Sequence, residues 1–128
     1  MTRQELDEII RTLPGVHTRW GIALDLPAVL AIERKTGGFW DESRFCGELR
    51  RRDDTGEPCT VLYVAVCNST ERIRGFAVCE CSTEDGTRYL TVLDLAALDP
   101  AARHTLIGDL GQRALRFGRT LIWATAAY

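Results

Sequence analysis

One acid interrupts a long apolar run in this chain: Asp94, within YLTVLDLAAL at residues 89–98. Two fates are open to it. Facing the interior, the carboxyl loses hydration and its pKa rises toward a range useful for taking a proton from an amine. At a bulge or a sheet edge, hydrogen-bonded, it is inert. Next comes LDPAARHTLIGDL, Leu98 to Leu110, where an apolar strand gives way to a helical pattern. A helix start exposes unpaired N–H groups and the positive end of the dipole, so it can hold an anion. The exposed amides are expected from about His104 to Asp109, with side-chain charge from Arg103 and His104. Asp109 argues the other way: in a first turn it would serve the dipole itself and repel a phosphate.

Other reactive side chains are dispersed. Glu80 lies on a neighbouring strand and reads as solvent-facing, and His17 and His104 are isolated. The five cysteines (Cys46, Cys59, Cys67, Cys79, Cys81) are odd in number and lack a secretory context, which points to reduced thiols. Cys79 and Cys81 should share one strand face with Ala77 and Gly75. Neither CxxC spacing nor paired histidines occur, so no metal site is expected.

The elements that must position these residues follow from pattern. RQELDEIIRTL, residues 3–13, carries a helical apolar stripe stopped by Pro14-Gly15. Val16 to Leu24 alternates at Trp20, Ile22 and Leu24 and reads as a strand. DLPAVLAIERKTGG has Pro27 just inside its start and Gly37-Gly38 past its end, so a helix is expected. Asp41 is a candidate N-cap for a second helix, DESRFCGELRRR, and residues 53–58 form a polar turn. Strands follow at 60–68, 72–81 and 87–98, with short connections that make an antiparallel meander. A helix from about Ala101 to Phe117, stopped by Gly118, leads to a last strand, TLIWATA, parallel to its predecessor. The fold class is mixed α+β: one domain spanning 1–128 around a single mixed sheet.

Bulk properties narrow the function. With 16 Lys and Arg against 18 Asp and Glu, the net charge of −2 gives no reason to expect nucleic acid. The run Arg50–Arg52 is followed at once by Asp53 and Asp54 and reads as a solvated helix end. The first ten residues lack a signal-peptide core, and nothing approaches a membrane-spanning stretch of ~20 apolar residues. A cytoplasmic protein is expected.

Two stretches carry a resemblance. DLPAVLAIERKTGGFWDESRFCGEL, residues 25–49, resembles the first two helices of the GNAT superfamily of N-acetyltransferases, in the branch acting on ribosomal-protein alanine N-termini. LDPAARHTLIG is similar to that family's acetyl-CoA loop, Gln/Arg-x-x-Gly-x-Gly/Ala after a strand ending in Val-x-Pro. Arg103 matches the leading Gln/Arg, Gly108 the last small residue, and Asp99-Pro100 the dipeptide after the strand. Leu106 stands where the family places its first glycine, and a side chain there hinders backbone approach to a pyrophosphate. The resemblance implies acetyl-CoA as cofactor, held by Ala96, Ala97 and Leu98 on the fourth strand and by Arg103, His104, Thr105, Leu106, Ile107, Gly108 and Asp109. It also implies Asp94 as base and Phe39 and Trp40 along an acceptor groove, although both, like Trp20 and Trp123, also serve as core anchors. The expected activity is acetyl transfer to a primary amine such as a peptide N-terminus; the alternative is a degenerate binding module. The family continues past the fifth strand with a helix and two strands, and its tyrosine acid is not carried onto Tyr128. The last strand, with Leu121, Ile122 and Trp123, is expected to be an edge covered by a second copy or a partner.

Overall fold

The computed structural model describes residues 1–12 and 15–124. Helix α1 (Arg3–Thr12) precedes strand β1 (Val16–Trp20). Helices α2 (Leu26–Lys35) and α3 (Glu42–Arg50) come next, then β2 (Thr60–Cys67), β3 (Ile73–Glu84) and β4 (Thr87–Ala97). Helix α4 (Pro100–Arg116) and β5 (Thr120–Trp123) complete the described chain. The sheet order is β1-β2-β3-β4-β5, antiparallel except for the parallel β4–β5 pair. The mixed α+β architecture with a single sheet thus matches the reading of the sequence.

Alternation along the central strands sends side chains to two cores. Leu62, Val64, Val66, Phe76 and Val78 face α2 and α3, where they meet Val29, Ile32 and Phe45. Tyr63, Ala65, Ala77, Cys79 and Val92 face α4, whose buried stripe is Ala102, Leu106, Leu110 and Ala114, spaced four apart. Cys79 and Cys81 do share the face of Ala77, and all five thiols are free.

Three expectations need correction here. Ile22 and Leu24 do not extend β1: the chain leaves the sheet at Gly21 and makes a short 3₁₀ turn, leaving both side chains exposed. Asp25 drives that turn. Its carboxylate accepts the Ile22 N–H at 2.8 Å and both Arg19 guanidinium nitrogens at 2.8 Å, and this pairing holds its pKa below the usual carboxylate range. Trp20 and Trp123 are not core anchors, being 55% and 37% exposed on the outer strands. Gly118, at φ +64, ends α4 as expected. The last residues of TLIWATA and Leu13-Pro14 lie outside the described residues.

Candidate active site

The site is assembled where α2 ends above β4. Thr36 closes the helix by returning its hydroxyl to the Ile32 carbonyl at 2.8 Å. Gly37 then takes φ +81, and the Gly38 N–H returns to the Glu33 carbonyl at 2.8 Å. This curl lays residues 38–40 across the Glu33 side chain. A Cβ at position 38 would overlap the Glu33 carboxylate, so only glycine permits the approach. The Trp40 N–H donates to that carboxylate. The Trp40 ring, 8% exposed, rests against Phe45 at 5.1 Å and beneath the Arg44 guanidinium. Trp40 is therefore a wall of the site fixed in the core, while Phe39, 91% exposed, stands at its rim.

Strand β4 brings the second carboxylate. Opposite Val78 and Cys79, β4 inserts one extra residue, so Val78 pairs with Asp94 and Cys79 with Val92. The bulge directs Asp94 beneath α2, buried to 8% exposure. Glu33, at 1% exposure, hydrogen-bonds with it. Oε2 of Glu33 and Oδ2 of Asp94 have no hydrogen-bond partner among the described residues, an uncommon state for buried carboxyl oxygens. Burial first, then the hydrogen bond and the charge of Asp94, push the Glu33 carboxyl up to about 8. The sequence reading missed Glu33. The signal was present, because Leu26, Val29, Leu30 and Glu33 share one helix face and an acid completes an apolar stripe.

A cavity of about 330 Å³ opens beside the pair, between the residue 36–40 loop and Asp94–Ala97, with Arg103 at its far side. The β4–β5 ladder ends at Val92 opposite Trp123 among the described residues. The Leu98 N–H donates to the Arg74 carbonyl on β3 at 2.8 Å. Alternation then turns the N–H and C=O of Leu95 and Ala97 toward the opposite edge, where the described β5 has ended. Ala96 and Ala97 line the cavity and Leu98 does not.

Helix α4 starts within a residue of the expected Ala101, but its exposed amides are not the expected ones. The helix begins at Pro100, so the amides of His104 to Asp109 lie inside it and are not exposed. The terminal donors are already satisfied: Asp99 accepts the Ala102 N–H at 2.8 Å and bonds that of Ala101, and the Arg103 N–H reaches the Asp99 carbonyl. These amide bonds, with Arg74 at 3.0 Å, hold Asp99 below the usual carboxylate range. Leu106 is 1% exposed and fills the core beneath Gly75, so a glycine there would open a cavity in place of a phosphate loop. Ile107 and Thr105 are half-buried, and Gly108 is exposed. Asp109 is beyond the first turn and pairs with Arg113 at 2.6 Å. Of the expected loop residues, Arg103 lines the cavity and His104 is exposed nearby in sequence. Glu80, expected in solvent, is partly covered and bonds Arg51 at 2.7 Å, and His17 bonds Asn68 at 2.6 Å.

An acyl-thioester arm fits this place: a stretch of β4 beyond Val92 with no partner strand among the described residues, a cavity against it, and a buried proton-holding pair. A pyrophosphate does not fit the α4 terminus, because a capping carboxylate occupies the amides it would need.

No family model and no curated protein sequence matches the chain. Solved structures do match it. A GNAT family acetyltransferase from Staphylococcus aureus aligns with TM-score 0.65 at 14% identity, over 85% of this chain and 84% of that one. An acetyltransferase from Trypanosoma brucei aligns with TM-score 0.62 at 20% identity, over 87% and 83%. A transcriptional regulator from Bacillus halodurans aligns with TM-score 0.63 at 17% identity, over 84% and 79%. At these identities the likeness establishes the GNAT fold.

Proposed function

We propose that this protein transfers an acetyl group from a thioester to a primary amine, with Asp94 and Glu33 as a shared proton acceptor. The observation that carries the reading is the buried carboxyl pair beside the part of β4 that has no partner strand among the described residues. The GNAT fold supports acetyl transfer in general, and a peptide N-terminus remains the favoured acceptor from the resemblance of residues 25–49.

Acetyl-CoA would contribute an activated acyl carbon. Leu95 and Ala97 would hold its acyl arm through their outward backbone groups, and Ala96 shapes the wall. Arg103, with the exposed His104 next to it in sequence, is the group left to meet its phosphates. An ammonium entering past Phe39 meets a buried carboxyl pair in which Glu33 keeps its proton below about pH 8, and the Asp94 carboxyl is the group placed to accept the amine's proton as the nitrogen becomes nucleophilic. Trp40 and the Gly37-Gly38 curl keep water from the pair.

The test is release of free thiol from acetyl-CoA in the presence of peptide amines. Asp94→Asn should lower the rate by about 100-fold or more while the melting curve stays cooperative. Unchanged rates in that variant would remove the pair from the chemistry. The competing reading is a binding module that has lost catalysis, favoured by the closed α4 terminus; it predicts amine or acyl binding without thiol release. The expected cover for the edge strand also belongs here: Ile122 and Trp123, 42% and 37% exposed on β5, form the surface for a second copy.

A further inference from the structure

A second cavity, of about 420 Å³, lies at the other end of the sheet, between the start of β2 and the C-terminal turn of α3. Its walls are apolar: Ile22, Leu26, Leu49, Pro58 and Leu62. One polar group breaks that lining. Thr60 is 3% exposed, and its Oγ1 has no hydrogen-bond partner among the described residues. Thr60 alternates with Leu62 and Val64, so its side chain projects on the α3 face where the cavity lies. Buried hydroxyls are nearly always bonded, so this one calls for a partner from outside the chain, a part that a polar atom of a bound molecule would fill.

The rim is cationic. Arg50 and Arg52 both line it. Arg50 makes no ion pair among the described residues, and Arg52 gives only Nη1, to the Leu49 and Arg51 carbonyls. Of the acids nearby, Glu48 and Glu80 are taken by Arg51 and Asp53 accepts the Thr55 and Glu57 amides, while Asp54 follows in sequence. Gly21 adds a close backbone wall, its N–H bonded to the Leu62 carbonyl at 2.7 Å.

We infer that this cavity binds an amphipathic carboxylate: an apolar body between α3 and the sheet, a hydrogen-bonding group meeting Thr60, and an anionic end at Arg50 and Arg52. An apolar chain alone would leave the Thr60 hydroxyl unpaired, and a neutral molecule would leave the rim unused. Because the cavity shares no lining residue with the Glu33–Asp94 site, the inference stands or falls apart from the proposed transfer reaction.

The test is calorimetric titration with straight-chain carboxylates of six to ten carbons, their ω-hydroxy counterparts and the matching diols. The parent should bind one chain length of hydroxy acid at least fivefold tighter than the plain acid. In Thr60→Val that advantage should fall to within twofold. Arg50→Ala should weaken both acids and leave the diols unchanged, and Asp94→Asn should change nothing. Absence of saturable binding across the series by the folded parent, or an undiminished hydroxyl preference in Thr60→Val, would overturn the inference.

Discussion

At the level of single residues, the proposed chemistry rests on Glu33 and Asp94. A carboxyl whose folded-state pKa lies near 8 binds a proton that the unfolded chain, with an ordinary glutamate near 4.5, has already released. The folded state therefore holds more protons across this interval, and stability must fall as pH rises. The contribution is complete below the unfolded pKa and is lost as pH passes through about 8. The melting temperature should thus decline steadily from pH 5 to pH 8.5, and Glu33→Gln, which cannot ionise, should flatten the decline. A parent curve that is flat, or a variant curve as steep as the parent's, would mean that the pair is not proton-sharing. Asp94 was legible in the sequence because a lone acid inside YLTVLDLAAL has few reasons to exist. Glu33 was not read, because ERK after an apolar run looks like an ordinary charged helix end. Its burial depends on Gly38, which lets the loop close over it.

At the scale of elements, β4 and α4 divide the site between them. The bulge after Val92 turns Asp94 inward, and the end of the β5 ladder leaves Leu95 and Ala97 facing outward. Element types and the strand order were readable from alternation, Gly37, Asp41 and Gly118. The start of α4, expected near Ala101, was readable too. The amides it leaves open were not: the resemblance of LDPAARHTLIG to a cofactor loop put them at His104 to Asp109, yet Pro100 already holds a first helical position and Asp99 caps it. Asp99→Asn separates cap from charge, since asparagine caps about as well as aspartate. That variant should keep its melting temperature within a few degrees and tighten CoA about tenfold relative to pantetheine, as read by calorimetry. An unaltered ratio would show that Asp99 does not keep phosphate from the helix end.

For the whole molecule, two unequal faces and two open ends follow from a sheet of this order. The α2–α3 face carries both cavities, one at each end. On the α4 face, Leu106 fills with core the place where the resemblance expected a phosphate loop, and a smaller cavity of about 190 Å³ lies at the far end of that helix, beside Arg113 and Phe117. Among the described residues no helix is long and apolar enough to cross a membrane. Both outer strands expose tryptophan, Trp20 on β1 and Trp123 on β5. Sedimentation velocity over a hundredfold concentration range should show reversible dimerisation, weakened by Ile122→Arg and not by a change at Trp20. A strict monomer throughout would dismiss β5 as an interface. This much could be anticipated from TLIWATA, because an exposed apolar edge is a liability in any sheet.

In the proposed reaction, the acyl end of a thioester cofactor would meet a built site and its phosphate end would not. Calorimetric titration of acetyl-CoA and acetyl-pantetheine into the same preparation, side by side, separates the two ends. Both should bind saturably, with dissociation constants within about threefold of each other, since only the Arg103 and His104 side chains remain to grip the phosphates. Binding of acetyl-CoA a hundredfold tighter than acetyl-pantetheine, or no binding of either, would contradict it.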